Sequence, residues 1–131
     1  MAPSLLAWQA GTVREALRAA FEGEMSFAED GLRSGDDAVA FRHYERAHVL
    51  GQMFVGPHVR AHVGMLRVGW RRRDLREIVG QVLRIPGGLI GSAIGRVPIG
   101  NTGGANVSAF EPMAIPADLA ESLADDDGPA S

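Results

Sequence analysis

A chain of 131 residues is long enough for one hydrophobic core and too short for two independent ones. Hydrophobic residues make up 46% of it and charged residues 22%, which excludes the charge-rich, apolar-poor composition of a disordered chain. A net charge of −3 argues against nucleic-acid binding through bulk electrostatics, and the lack of cysteine removes disulfides, thiolate metal sites, iron–sulfur clusters and cysteine nucleophiles together.

The first element is a helix that Thr12 precedes and that runs to about Arg33, rich in Ala, Leu, Glu and Arg, with Glu15 three residues after Thr12 as in a capping box. Gly35 supplies its left-handed cap. Asp36 or Asp37 then caps a second helix carrying Ala38, Phe41, Ala47 and Leu50 at helical spacing. Gly56-Pro57 breaks the pattern before a third helix, in which Val59, Val63, Leu66 and Trp70 form the apolar stripe. That helix ends near the arginine run Arg71, Arg72, Arg73 and Arg76, charges that normally face water or a helix C-terminus. Asp74 caps a fourth helix with Ile78, Val82 and Ile85, which Pro86-Gly87-Gly88 stops.

The expected fold is therefore all-α, with four main helices in two antiparallel hairpins. The hairpins look related, since Gly35-Asp36-Asp37 resembles Arg72-Arg73-Asp74, and Tyr44 to Ala47, reading Y-E-R-A, resembles the second helix of a tetratricopeptide-type repeat. The expected organisation is a single domain over 1–131: a helical core at 12–86, a Gly/Pro-rich extended arm at 87–124 packing on it, and a disordered acidic tail at 125–131. Phe110, Met113 and Ile115 would anchor the arm, and Pro116 would open a short last helix. The apolar stretch from Ile85 to Ile99 is broken by glycines and shorter than the roughly 20 residues of a membrane span, so a cytoplasmic protein without membrane or nucleic-acid partners is expected.

The potential chemistry is concentrated in one place. Glu45-Arg46-Ala47-His48 is an E-x-x-H element that sets a carboxylate and an imidazole one turn apart on one helix face. His58 and His62, four apart on the next helix, also share a face at a separation one ion can bridge. In an antiparallel hairpin turning near Val55, His48 and His62 lie at the same level. The same counting about Gly35 brings Glu24 level with Glu45 as a further ligand, whereas His43 points well around the helix from Glu45 and His48. Nitrogen and oxygen donors of this kind suit Zn, Fe, Cu or Mn.

Three functions compete on these residues. The first is a transition-metal site, with hydrolysis on zinc, or oxygen chemistry on iron or copper, if a coordination position stays open to a small-molecule substrate. The second is a tetratricopeptide-like adaptor for a protein partner, with the histidines in packing roles. The third is haem bound through one histidine. Whether the protein is an enzyme is left open, and Gly100-Asn101-Thr102-Gly103-Gly104 reads as a turn, lacking the Lys-Ser/Thr of a phosphate-cradling loop.

Glu45 to Gln52, reading E-R-A-H-V-L-G-Q, then His58 and His62 followed by Met65-Leu66, Arg71 to Asp74, Pro98 to Gly103 and Val107 to Pro116 are together similar to a family of small bacterial proteins, the domain of unknown function numbered 3703. The resemblance covers nearly the whole chain. It implies a helical fold and makes Glu45, His48, His58 and His62 the polar positions of the family's motif. It implies no established activity, only an association with metal-handling genes.

Overall fold

The computed structural model describes residues 15–94, 101–105 and 112–124. Among them are five helices and no strand: α1 (Glu15–Ser34), α2 (Asp37–Gly51), α3 (Val55–Arg72), α4 (Leu75–Ile94) and α5 (Ala117–Ala124). Thr12, the expected first cap, lies outside the described residues, as do Phe110 and the acidic tail.

The two hairpins turn on the same device. After α1, Gly35 at φ +78° lets its own N–H bond the Leu32 carbonyl and the Asp36 N–H bond that of Gly31, at 3.2 and 2.8 Å. After α3, Arg73 at φ 53° does the same through Trp70 and Gly69, at 3.2 and 2.9 Å. An aspartate follows in both cases and caps the next helix. Asp36 accepts from the Val39 N–H and Asp74 from the Glu77 N–H, each at 3.1 Å. The likeness between the two segments is thus a shared stop-and-start signal.

Consecutive helices run antiparallel. Gly31 meets Ala40 and Glu29 meets Tyr44 across α1 and α2; Tyr44 meets Gly64 and His48 meets His62 across α2 and α3; Met65 meets Gln81 and Gly69 meets Glu77 across α3 and α4. The core is built from Leu17, Phe21, Met25 and Ala28 of α1, Tyr44, Ala47 and Leu50 of α2, and Ala61, Met65 and Val68 of α3, with Leu119 of α5 closing it. Tyr44 is fully buried and donates to Glu29 at 2.7 Å, which satisfies its hydroxyl. Gly64 is required beside it, because a Cβ there would lie 2.3 Å from the Tyr44 ring. Arg71 ties the end of α3 to the turn of the first hairpin, donating to the Leu32 carbonyl at 2.5 Å and pairing with Asp37 at 3.4 Å.

Two expectations need correction. The stripe assigned to α3 is not its core face: Val63 and Trp70 are 41% and 71% exposed, and His58, Ala61, His62, Met65 and Val68 point inward. Tyr44 of α2 and Glu77 of α4 pack against Gly64 and Gly69, where a Cβ would lie 2.3 and 3.1 Å from them, so small residues and histidines occupy the inner face. Secondly, Pro86 does not end α4, which continues to Ile94 and takes the first part of the expected arm with it. Pro86 is on the solvent side, where the Val82 carbonyl left without its intrahelical donor can be met by water. Further on, Ile115 packs against the core, and Pro116 opens α5 by accepting from the N–H groups of Leu119 and Ala120 at 3.0 and 2.9 Å.

α4 is inverted relative to the other long helices. Among its described side chains the buried ones are Glu77 and Gln81, and Leu75, Val79, Val82, Leu83, Leu89, Ile90 and Ile94 are exposed. The polar pair is buried because it serves the site described next. No helix of the described residues is long and apolar enough to cross a membrane.

Candidate metal centre

The turn between α2 and α3 sets the geometry. His48 lies in the last turn of α2, His58 in the first turn of α3, and His62 one turn further along the same face. All three are buried, with only 3–4% of their surface exposed. The Nε2 of His48 is 2.9 Å from that of His58 and 3.2 Å from that of His62. Potential ligand atoms of the three residues all lie within 4.8 Å of one another.

The opposite edge of each ring is engaged. His48 Nδ1 is 2.7 Å from the Asn101 carbonyl oxygen, an acceptor, so that nitrogen carries the proton. His62 Nδ1 is 2.6 Å from Gln81 Oε1. His58 is held by the main chain of Gln52, in the sense that favours a proton on the ring. Each ring is therefore turned to present a bare Nε2 to the same small space.

Burial, first of all, drives these rings toward the neutral form. His48 is pushed well below the ordinary histidine value by burial, with the charges that His62, His58 and Arg84 would contribute adding to it and the Asn101 hydrogen bond opposing. His58 falls to about 3 through burial and then its neighbour His62, opposed by Gln52. His62 falls to about 4 through burial, with Gln81 opposing and Arg84 adding. Neutral rings whose protons are committed to carbonyl oxygens have none to share among the three Nε2 atoms. Lone pairs face lone pairs at 2.9 and 3.2 Å.

A cation resolves that arrangement. Zinc–imidazole bonds of about 2.0–2.1 Å at tetrahedral angles separate ligand nitrogens by about 3.3–3.4 Å. The His48–His58 and His48–His62 pairs, at 2.9 and 3.2 Å, need open by only a few tenths of an ångström to admit such an ion, and with ligand atoms of all three within 4.8 Å of one another the residues fit a transition metal.

A strap from Asn101 to Ala105 covers the site. Asn101 accepts from the Gly103 N–H through its side chain at 2.9 Å while its main chain receives His48. Gly103, at φ +82°, lies flat on the His48 ring, where a Cβ would come within 2.6 Å of it. Gln81 donates to the Gly103 carbonyl at 2.9 Å, Arg84 to the carbonyls of Gly103 and Gly104, and the Ala105 N–H to both oxygens of Glu77 at 3.1 Å.

Of the residues expected at a metal site, the fold brings His48, His58 and His62 together. Glu45 stands apart from the nitrogen cluster, beside the Thr102 hydroxyl. Its carboxyl is raised by burial, Thr102 opposing without making a full hydrogen bond and the charge of Glu77 adding. Glu24 is engaged elsewhere, 2.6 Å from His43 Nδ1 and 2.9 Å from Arg46 Nε. Its level along the hairpin is as counted, but it faces the His43–Arg46 side of α2, and level says nothing about that rotation. His43 lies outside the cluster, as its position around the helix predicts, and packs on Phe27.

Gln52, Gln81, Glu77 and the strap were not singled out as parts of the site. Gln52 continues the His48 face in the sequence, and Glu77 and Gln81 are polar residues four apart, and so on one face, of an apolar-rich helix. The strap is the Gly-Asn-Thr-Gly-Gly segment read above as a turn, and its main-chain contacts leave no side-chain pattern.

No curated protein and no solved structure matches the chain. A family profile matches residues 15–123, a span that contains the three histidines, Gln81 and the strap. The chain belongs to the family described as a protein of unknown function, DUF3703.

Proposed function

We propose that this protein binds one transition-metal ion through the Nε2 atoms of His48, His58 and His62. The observation that carries this reading is the convergence of three buried imidazoles whose other edges are occupied by main-chain or amide partners. Hydrogen bonding of the second ring nitrogen is the usual support of a metal-bound histidine. A neutral, nitrogen-only set suits zinc or copper better than manganese, which prefers oxygen donors, or iron of the two-histidine, one-carboxylate type. Glu24 has no part in this proposal, and Glu45 is the carboxylate placed on the same helix face one turn before His48.

Three protein ligands leave a coordination position free for water or a substrate oxygen, where a bound ion would act as a Lewis acid. The chain's own contribution is to exclude water with the strap, hold the rings neutral and fix their direction. Haem is a poorer match, because nitrogens 2.9–3.2 Å apart leave no room for a macrocycle between them.

Elemental analysis of protein purified without an affinity tag or chelator tests the proposal, alongside His48→Ala and His62→Ala variants. Near-stoichiometric zinc or copper, lost in both variants while helicity is kept, is the expected result. Protein that is metal-free and takes up neither added zinc nor added copper would overturn it.

A further inference from the structure

The three histidines are not supported alike. His48 and His58 lean on main-chain groups, but His62 leans on a side chain, Gln81 of α4. An amide can present either its oxygen or its nitrogen, and the choice decides which nitrogen of His62 carries the proton.

The surroundings of Gln81 leave no ambiguity. Its Nε2 is 2.6 Å from Glu77 Oε1, 2.9 Å from the Gly103 carbonyl and 3.4 Å from Met65 Sδ. All three are acceptors, so the NH2 group must face them and the carbonyl oxygen must face His62. An amide turned the other way would point its oxygen at a carboxylate, a carbonyl and a sulfur, and would set two N–H donors against each other or force the proton of His62 onto Nε2. The Gln81 side chain is fully buried, so water cannot relieve that mismatch.

We infer that Gln81 is a positioning residue which, oriented by Glu77 and the Gly103 carbonyl, fixes the Nδ1-protonated tautomer of His62 and so makes its Nε2 a ligand. The inference rests on the metal-binding reading for its consequence, though the tautomer itself is a property of the metal-free protein. It also explains why α4 buries Glu77 and Gln81: Gln81 sets the ring, Glu77 sets Gln81, and Glu77 anchors the strap through Ala105.

The test measures tautomer and affinity separately. In the metal-free protein labelled with nitrogen-15, two-dimensional spectra of the imidazole nitrogens are expected to show His62 protonated at Nδ1 and bare at Nε2. A His62 protonated at Nε2 in the wild type would overturn the inference, with no variant needed. Gln81→Met, close in volume and without a strong acceptor, is expected to mix the His62 tautomers while leaving His48 and His58 unchanged, and to weaken zinc binding in a chelator competition by about 10- to 100-fold. Gln81→Met protein with an unchanged His62 tautomer and unchanged zinc affinity would equally overturn it. If the wild type binds no zinc, the metal reading fails, and the nitrogen-15 spectra still decide the role of Gln81.

Discussion

At the scale of single residues, the site depends on rings that are neutral and held in place. The sign of the pH dependence follows. The three histidines have folded values below the ordinary 6.5, about 3 for His58 and about 4 for His62, so on acidification the unfolded chain takes up protons first. Stability of the metal-free protein should be complete above about pH 6.5 and fall as the pH drops through 6 and 5 toward 4. Urea midpoints at pH 7 and pH 5 check this, and a midpoint that does not move would contradict the buried, neutral state of the three rings. Gly103 offers a second check. Alanine there meets the His48 ring within 2.6 Å in a left-handed conformation, so Gly103→Ala should lower stability by about 1–3 kcal/mol and loosen the strap. Thermal unfolding reads the first effect, and hydrogen exchange at Ala105 reads the second.

Among the elements, the hairpins were legible in the sequence because their signals are local. Gly35-Asp36 and Arg73-Asp74 stop one helix and start the next, and the spacing of His48, His58 and His62 about the turn placed three rings together. What stayed hidden depends on rotation about helix axes and on distant chain. Glu24 is level with the site but faces Arg46; Trp70 lies at helical spacing but on the outer face; Asn101 reaches His48 through its main-chain carbonyl oxygen. Pro86 shows the limit of a local rule, since a helix-breaking residue is tolerated where its cost falls on the solvent side. Arg73 is the one non-glycine residue at positive φ among the described residues, in the role that Gly35 fills in the first hairpin. Arg73→Gly should therefore stabilise the fold by up to about 1 kcal/mol, raising the melting temperature by about 2–4 °C; a decrease would show that the Arg73 side chain makes a contact worth more than the strain.

Across the whole molecule, the hydrophobic core and the site divide the helices between them. α1, α2, α3 and α5 share the apolar core, and α4 joins through Glu77 and Gln81. An ion bound at the three histidines acts only on the folded state, so it adds stability by mass action, about 2.7 kcal/mol at a free concentration one hundred times its dissociation constant. The gain should appear first in α4 and the strap, which reach the rings through Gln81 and Asn101. Hydrogen exchange with and without zinc is expected to show the largest added protection at 77–84 and 101–105, and added protection confined to α1 would contradict this linkage.

The most direct measurement is X-ray absorption fine structure on the zinc-loaded protein. Three imidazole nitrogens at about 2.0 Å, with one further light atom and the outer-ring scattering of histidine, is the predicted first shell. A shell dominated by oxygen, or one with a single imidazole, would contradict the claim that His48, His58 and His62 share one ion.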